Sequence, residues 1–153
     1  MMGLPTALVR VALWCAACLG SKTAVTALLA TGALVDEHVP PDLTGSSSRI
    51  ALMMAAEVGA VDVVALLLAA GASVSAQTDS KDNPLSFGCT SLFQACTRVS
   101  EHAAVPIIEE LLRGGADVRH QSKGPKSIPR TALHPAALLD RSTLIPQLVK
   151  AWG

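Results

Sequence analysis

The sequence predicts an all-α fold, a helical repeat solenoid of stacked helix-turn-helix pairs joined by long hairpin-like loops, and three observations carry that prediction. The segment Val11 to Val35 aligns with Ile50 to Val74 along its whole length, at an offset of 39 residues. Ala16-Ala17 falls on Ala55-Ala56, Gly20 on Gly59, Leu28-Leu29 on Leu67-Leu68 and Gly32-Ala33 on Gly71-Ala72. Half of the 153 residues are apolar, yet every apolar run is broken by glycine or a polar stretch. The resulting helices are short, and isolated helices below about 12 to 15 residues are marginal in water, so each pair must bury its apolar face on the next.

Taken in order, the first two copies each read as two short helices, a Gly-Ala stop and a polar loop. A third copy opens with "TSLFQAC", Thr90 to Cys96, and closes with "IIEELLRGGADV", Ile107 to Val118, after an insertion of four residues between its halves. A fourth opens with "TALHPAALLD", Thr131 to Asp140. Leu13, Leu52, Leu92 and Leu133 supply the apolar anchor of each first helix, and Leu28, Leu29, Leu67, Leu68, Leu111, Leu112, Leu148 and Val149 those of the second helices. Gly32, Gly71 and Gly115 stand where the second helices should end, positions suited to a left-handed cap. Pro106, Pro135 and Pro146 are expected in the first turns of their helices, where a missing N–H is tolerated. The whole chain, 1–153, is expected to form a single repeat domain, with repeats at about 8–38, 47–77, 87–120 and 128–153.

The units resemble ankyrin repeats, whose pattern is Thr-Pro-Leu-His-x-Ala-Ala, a Gly, a Leu-rich second helix and Gly-Ala-Asp-Val. "TALHPAA" and "GGADV" lie closest to it. The repeat starts Val11, Ile50, Thr90 and Thr131 are spaced wider than the ankyrin period of about 33, and period alone favours the HEAT or armadillo class. The surplus falls in the polar loops instead, which a resemblance to ankyrin repeats accommodates as extended fingers. Trp14, Met53 and Phe93 replace the motif's His, which survives as His134. The resemblance implies that His134 is structural, hydrogen-bonding backbone and ordering its loop. It also implies an interaction module that binds another protein through its loops and a concave face of first helices, and the four widely separated cysteines, too few for a disulfide framework, make an intracellular place, cytoplasmic or nuclear, the expectation.

Composition narrows the remaining classes. Twelve Lys and Arg balance twelve Asp and Glu, and aromatic content is 3%, so neither a charge field nor stacking platforms recommend a nucleic acid as partner. Ile50 to Val74 is apolar enough to suggest a membrane span, but Glu57 and Asp62 near its centre would each cost about 2.5 to 3.5 kcal/mol there. An alternative membrane or secreted reading, with 11–19 as signal and 50–74 as span, therefore conflicts with the repeat. Cys15 and Cys18 have Cys-x-x-Cys spacing, and a zinc or thiol protein is the other alternative, but Cys89 and Cys96 lie in another repeat and complete no ligand set. Neither a cofactor nor a metal is expected. No Gly-x-Ser-x-Gly, phosphate-cradling loop or paired carboxylates point to catalysis, so the chain is expected not to be an enzyme.

The loops are where the copies differ. Asp36 to Arg49 carries the acids Asp36, Glu37 and Asp42; Ser75 to Cys89 carries Phe87; Arg119 to Arg130 holds Arg119, Lys123, Lys126 and Arg130 beside His120, with no acid. Fingers projecting to one side would form a surface running from acidic to basic, and these nine residues are the expected partner-binding set. Neither end unit is a polar capping repeat, so further repeats or another domain are expected to dock there.

Overall fold

A computed structural model of the chain describes residues 5–39, 49–79, 87–123 and 128–153. Within these residues it is all-helical, with eight helices: α1 (Thr6–Cys18), α2 (Lys22–Ala30), α3 (Ala51–Val58), α4 (Val61–Ala69), α5 (Ser91–Arg98), α6 (Glu101–Arg113), α7 (Leu133–Leu138) and α8 (Leu144–Trp152). They form antiparallel pairs that stack in chain order. The first helices pack as α1 on α3, α3 on α5 and α5 on α7, and the second helices as α2 on α4, α4 on α6 and α6 on α8. This is the architecture of a helical repeat solenoid.

The amphipathic spacing sets the core. Leu13, Leu52 and Leu92 are buried between neighbouring pairs, as are Leu67, Leu111 and Leu148 of the second helices, while Leu133 of α7 is only half-buried; in the first unit Val25 is the fully buried residue and the expected anchor Leu28 is half-buried, as are Leu29, Leu68 and Leu112, and Val149 is exposed. Fully burying such a side chain contributes about 1.5 to 3 kcal/mol, and Ile50, Met53, Ile107, Ile108 and Leu144 are buried in the same core. Ala17, Ala56 and Cys96 are fully buried and small, which lets neighbouring first helices approach closely. Ile50 to Val74, the candidate span, is two helices separated by Gly59, whose φ of 85° ends α3. Among the described residues no helix is long and apolar enough to cross a membrane. The candidate signal segment 11–19 lies in α1 and its end, packed on α3.

Each second helix of the first three units closes alike. Gly32, Gly71 and Gly115 have φ of 87°, 90° and 89°. The amide after each reaches back to the helix: Ala33 N–H to the Leu28 carbonyl at 3.2 Å, Ala72 to Leu67 at 3.0 Å and Ala116 to Leu111 at 2.9 Å. Only glycine takes this left-handed turn without a steric cost.

Two helices differ from expectation. α1 has 13 residues against 8 in α3, whose start is fixed by Ile50, held extended at the base of a finger, whereas α1 runs back to Thr6 behind Pro5. α6 has 13 residues against 9 in α4, so the four-residue insertion of the third copy is spent as one extra helical turn at the start of the helix. Pro106 consequently sits inside α6 rather than in its first turn, a correction to the sequence reading. Pro135 and Pro146 do lie in the first turns of α7 and α8.

Candidate functional site

Three fingers link the units, and each is pinned at its base by antiparallel backbone pairing. Val39 N–H donates to the Arg49 carbonyl at 2.9 Å; Thr78 and Gly88–Cys89 exchange bonds of 3.0 and 2.8 Å; Ser122 and Arg130 exchange bonds of 2.8 and 3.2 Å. The Cys89 amide also donates to Thr78 Oγ1 at 3.0 Å. The described base of every finger lies between the end of a second helix and the start of the next first helix.

The expected contact residues sort into three groups. Lys123 is exposed, while Glu37, Phe87 and Arg130 are half-buried near the finger bases. Asp42 and Lys126 lie outside the described residues. The other three bind within the chain. Asp36 accepts a hydrogen bond from the Ser73 amide at 2.8 Å, tying the first finger to the second unit. His120 Nε2 lies 2.9 Å from the Gly88 carbonyl and joins the third finger to the second. Arg119 donates to the Trp152 carbonyl at 2.6 Å and stands over its indole, 5.8 Å from the ring centroid. Asp36 and Arg119 nevertheless remain exposed, so each is held in place while still facing solvent.

Beneath the fingers the first helices offer little surface at the centre of the stack. Ala51 to Ala56 of α3 and Ser91 to Cys96 of α5 are buried throughout. The Thr90 hydroxyl accepts the Phe93 amide at 3.4 Å and caps α5. His134, as expected, is a structural residue: its Nδ1 accepts the Thr131 amide at 3.1 Å and lies equally close to the Thr131 hydroxyl.

Two ionic arrangements escaped the sequence reading. Arg49, the last residue of the first polar loop, turns inward to 7% exposure and pairs with Glu57 at the end of α3, with Arg98 of α5 3.9 Å from the same carboxylate. The other arrangement joins the last two turns. Arg141 donates to the carbonyls of Val99 and Thr97, the latter at 3.3 Å, and Glu101 accepts from both the amide and the hydroxyl of Thr143 at 2.7 Å. These hydrogen bonds hold the Glu101 carboxyl below its ordinary pKa. Only the spacing of Gly20, Gly59, Val99 and Asp140 hinted at this region, by placing a valine where the first two copies have glycine.

Burial pushes the Cys18 thiol up to about 11 and Cys96 up to about 12, which keeps both protonated near neutrality. Among the described residues no three His, Cys, Asp or Glu side chains are grouped to hold a metal ion. A cleft of about 430 Å³ between α6 and α8 is lined by Glu109, Leu112, Arg113, Gln147, Lys150 and Ala151, a mixture of charged, polar and apolar side chains.

No curated protein sequence matches the chain. The family model that does match is that of the ankyrin repeat, over residues 48–79. That span carries α3, α4, the buried Arg49 and the Gly71 closure, and it is an ankyrin repeat.

Proposed function

We propose that this chain is a non-enzymatic, intracellular protein–protein interaction module, an adaptor or scaffold built from four ankyrin-type repeats at about 8–38, 47–77, 87–120 and 128–153. The ankyrin repeat at 48–79 supports a protein as partner. The observation that carries the finer reading is the contrast between the central first helices, buried from Ala51 to Ala56 and from Ser91 to Cys96, and the pinned fingers beside them. The fingers, more than a concave helical face, are the contact surface.

Its mechanism is preorganisation. The bond that Asp36 accepts from Ser73 ties the first finger to the second unit, and that of His120 with Gly88 ties the third finger to the second, so little ordering entropy is lost on binding. The acidic end, with Asp36, Glu37 and Asp42, and the basic end, with Arg119, His120, Lys123, Lys126 and Arg130, orient an elongated partner of reversed polarity, and Phe87 supplies an apolar contact between them. Affinity capture with the intact chain and with a Lys123→Glu, Lys126→Glu variant tests this. A defined set of proteins lost selectively from a variant that melts like the parent is the expected result, and equal retention moves the site away from the basic finger.

A further inference from the structure

Arg10, Arg49, Cys89 and Arg130 occupy one position in the four units, and Cys18, Glu57, Thr97 and Leu138, 8 residues further on, occupy another. In the second unit the two positions form a pair: Arg49, 7% exposed, lays its guanidinium on the Glu57 carboxylate, with the Met54 sulfur 3.6 Å away. The first and fourth units keep the cation without the anion. Arg10 is matched by Cys18, and its Nε is buried with no hydrogen-bond partner among the described residues. Arg130 is matched by Leu138. It is half-buried, and among the described residues its guanidinium has neither an ion pair nor a hydrogen bond.

Arg130 is held at the junction of the second and third fingers. Its backbone exchanges bonds with Ser122, and a Cβ at Gly88 of the second finger would stand 3.3 Å from the Lys123 nitrogen, so the two finger bases abut there. The His120 ring on the Gly88 carbonyl closes the same seam. Burial pushes the Cys89 thiol of this seam up, and the Thr78 and Ser122 hydroxyls and the Arg49 and Arg130 charges pull it back. Arg49, Cys89 and Arg130 thus run along the finger bases, between units. The third finger has no acid of its own for this cation, since residues 119–130 include neither Asp nor Glu. A guanidinium that has lost part of its water and found no counter-charge gains most from an incoming carboxylate.

We infer that Arg130 is the anchor of the contact surface and takes one carboxylate, supplied by an Asp or Glu in an acidic segment of the partner protein. The inference rests on the reading of the fingers as that surface and names the chemistry they recognise. The precedent lies in the same chain, where the equivalent Arg49 already holds Glu57. A carboxylate meets a guanidinium through two parallel hydrogen bonds, which fixes the orientation of the incoming segment as well as its charge. Lys123, exposed on the same finger, attracts the neighbouring acids without fixing their geometry.

The test selects a displayed library of random linear peptides on the full chain and measures the most enriched peptide, synthesised and labelled, by fluorescence anisotropy. The enriched peptides should share an Asp or Glu at one fixed position. Arg130→Gln should weaken binding of the labelled peptide about tenfold or more, and Arg130→Lys, which keeps the charge but not the fork, by less. Leu138→Glu restores the Arg49–Glu57 spacing in the fourth unit, so it should occupy Arg130 from within and weaken the peptide, while Leu138→Gln leaves it bound as in the parent. That second comparison carries the test if Arg130→Gln melts below the parent. Enriched peptides without a shared acid, or an acidic peptide held equally by the parent and Arg130→Gln, overturn the proposal; loss of such a peptide on Lys123→Glu then leaves the fingers as contact surface with another anchor. Failure of the parent chain to enrich any peptide overturns the reading of the fingers along with it.

Discussion

The turn from α3 to α4 and the turn from α5 to α6 perform the same task with different materials. At the first, Gly59 takes a φ of 85° and closes α3 on its own, with the Ala60 amide reaching the Ala55 carbonyl at 3.0 Å. At the second, the aligned residue is Val99, which lies extended at φ −85° and ψ 149°. A β-branched residue does not enter the left-handed region cheaply, so α5 ends without that closure and its last carbonyls need another donor. Arg141 of the following unit supplies it, and Glu101 returns the favour by accepting from Thr143 at the start of α8. A local solution written in one glycine has been exchanged for a reciprocal clamp between units. The lesson is that conformity to a repeat pattern is one way to close a turn, and departures from it recruit neighbours.

The largest effect should come from the carboxylate beside the conforming turn. Glu57→Ala removes the carboxylate that pairs with a guanidinium only 7% exposed, one of several groups that guanidinium contacts, and should lower unfolding free energy by about 3 kcal/mol in chemical denaturation. Next, Arg141→Ala strips the α5 carbonyls of their charged donor and should cost about 2 kcal/mol, with faster hydrogen exchange confined to the last two units. Smaller again is Gly59→Ala, at about 1 kcal/mol from backbone conformation, since the new Cβ would meet Val99 Cγ1 at an ordinary 3.4 Å. A loss on Arg141→Ala no greater than for an exposed arginine such as Arg113 would erase the contrast between the two turns.

The smallest effect depends on pH. Glu101 has a folded pKa below the ordinary value of 4.5, so it binds its proton less readily when folded than when unfolded. Its contribution is therefore complete above the unfolded value and is lost as pH falls from about 4.5 through the folded one. Glu101→Gln should flatten the acid limb of stability against pH while leaving stability at neutral pH only slightly reduced. An acid limb of unchanged slope would remove Glu101 from the clamp.

Much of the fold was legible because it is written in short-range pattern. The 39-residue offset, the Gly71 type of helix closure and the interruption at Gly59 all depend on residues close in sequence, and each appears where the pattern puts it. The extra turn of α6 was not legible: a four-residue insertion could equally have been loop, and only the packing of α6 on α4 and α8 makes it helix. Pro106 was misplaced for the same reason. Within the expected contact set, the second roles of Asp36, Arg119 and His120 were hidden because their partners lie 37, 33 and 32 residues away. Arg49 was hidden by its neighbours, since a cation at the end of a polar loop gives no local sign that it turns inward onto Glu57.

The most direct test of the account is to place a photocrosslinking side chain at Lys123, on the basic finger, and in a second protein at Lys22, exposed at the start of α2, and to compare protein adducts in cell extract. A fingers-first interaction module predicts discrete adducts from position 123 and few or none from position 22. Adducts confined to position 22, or none from either, would contradict it.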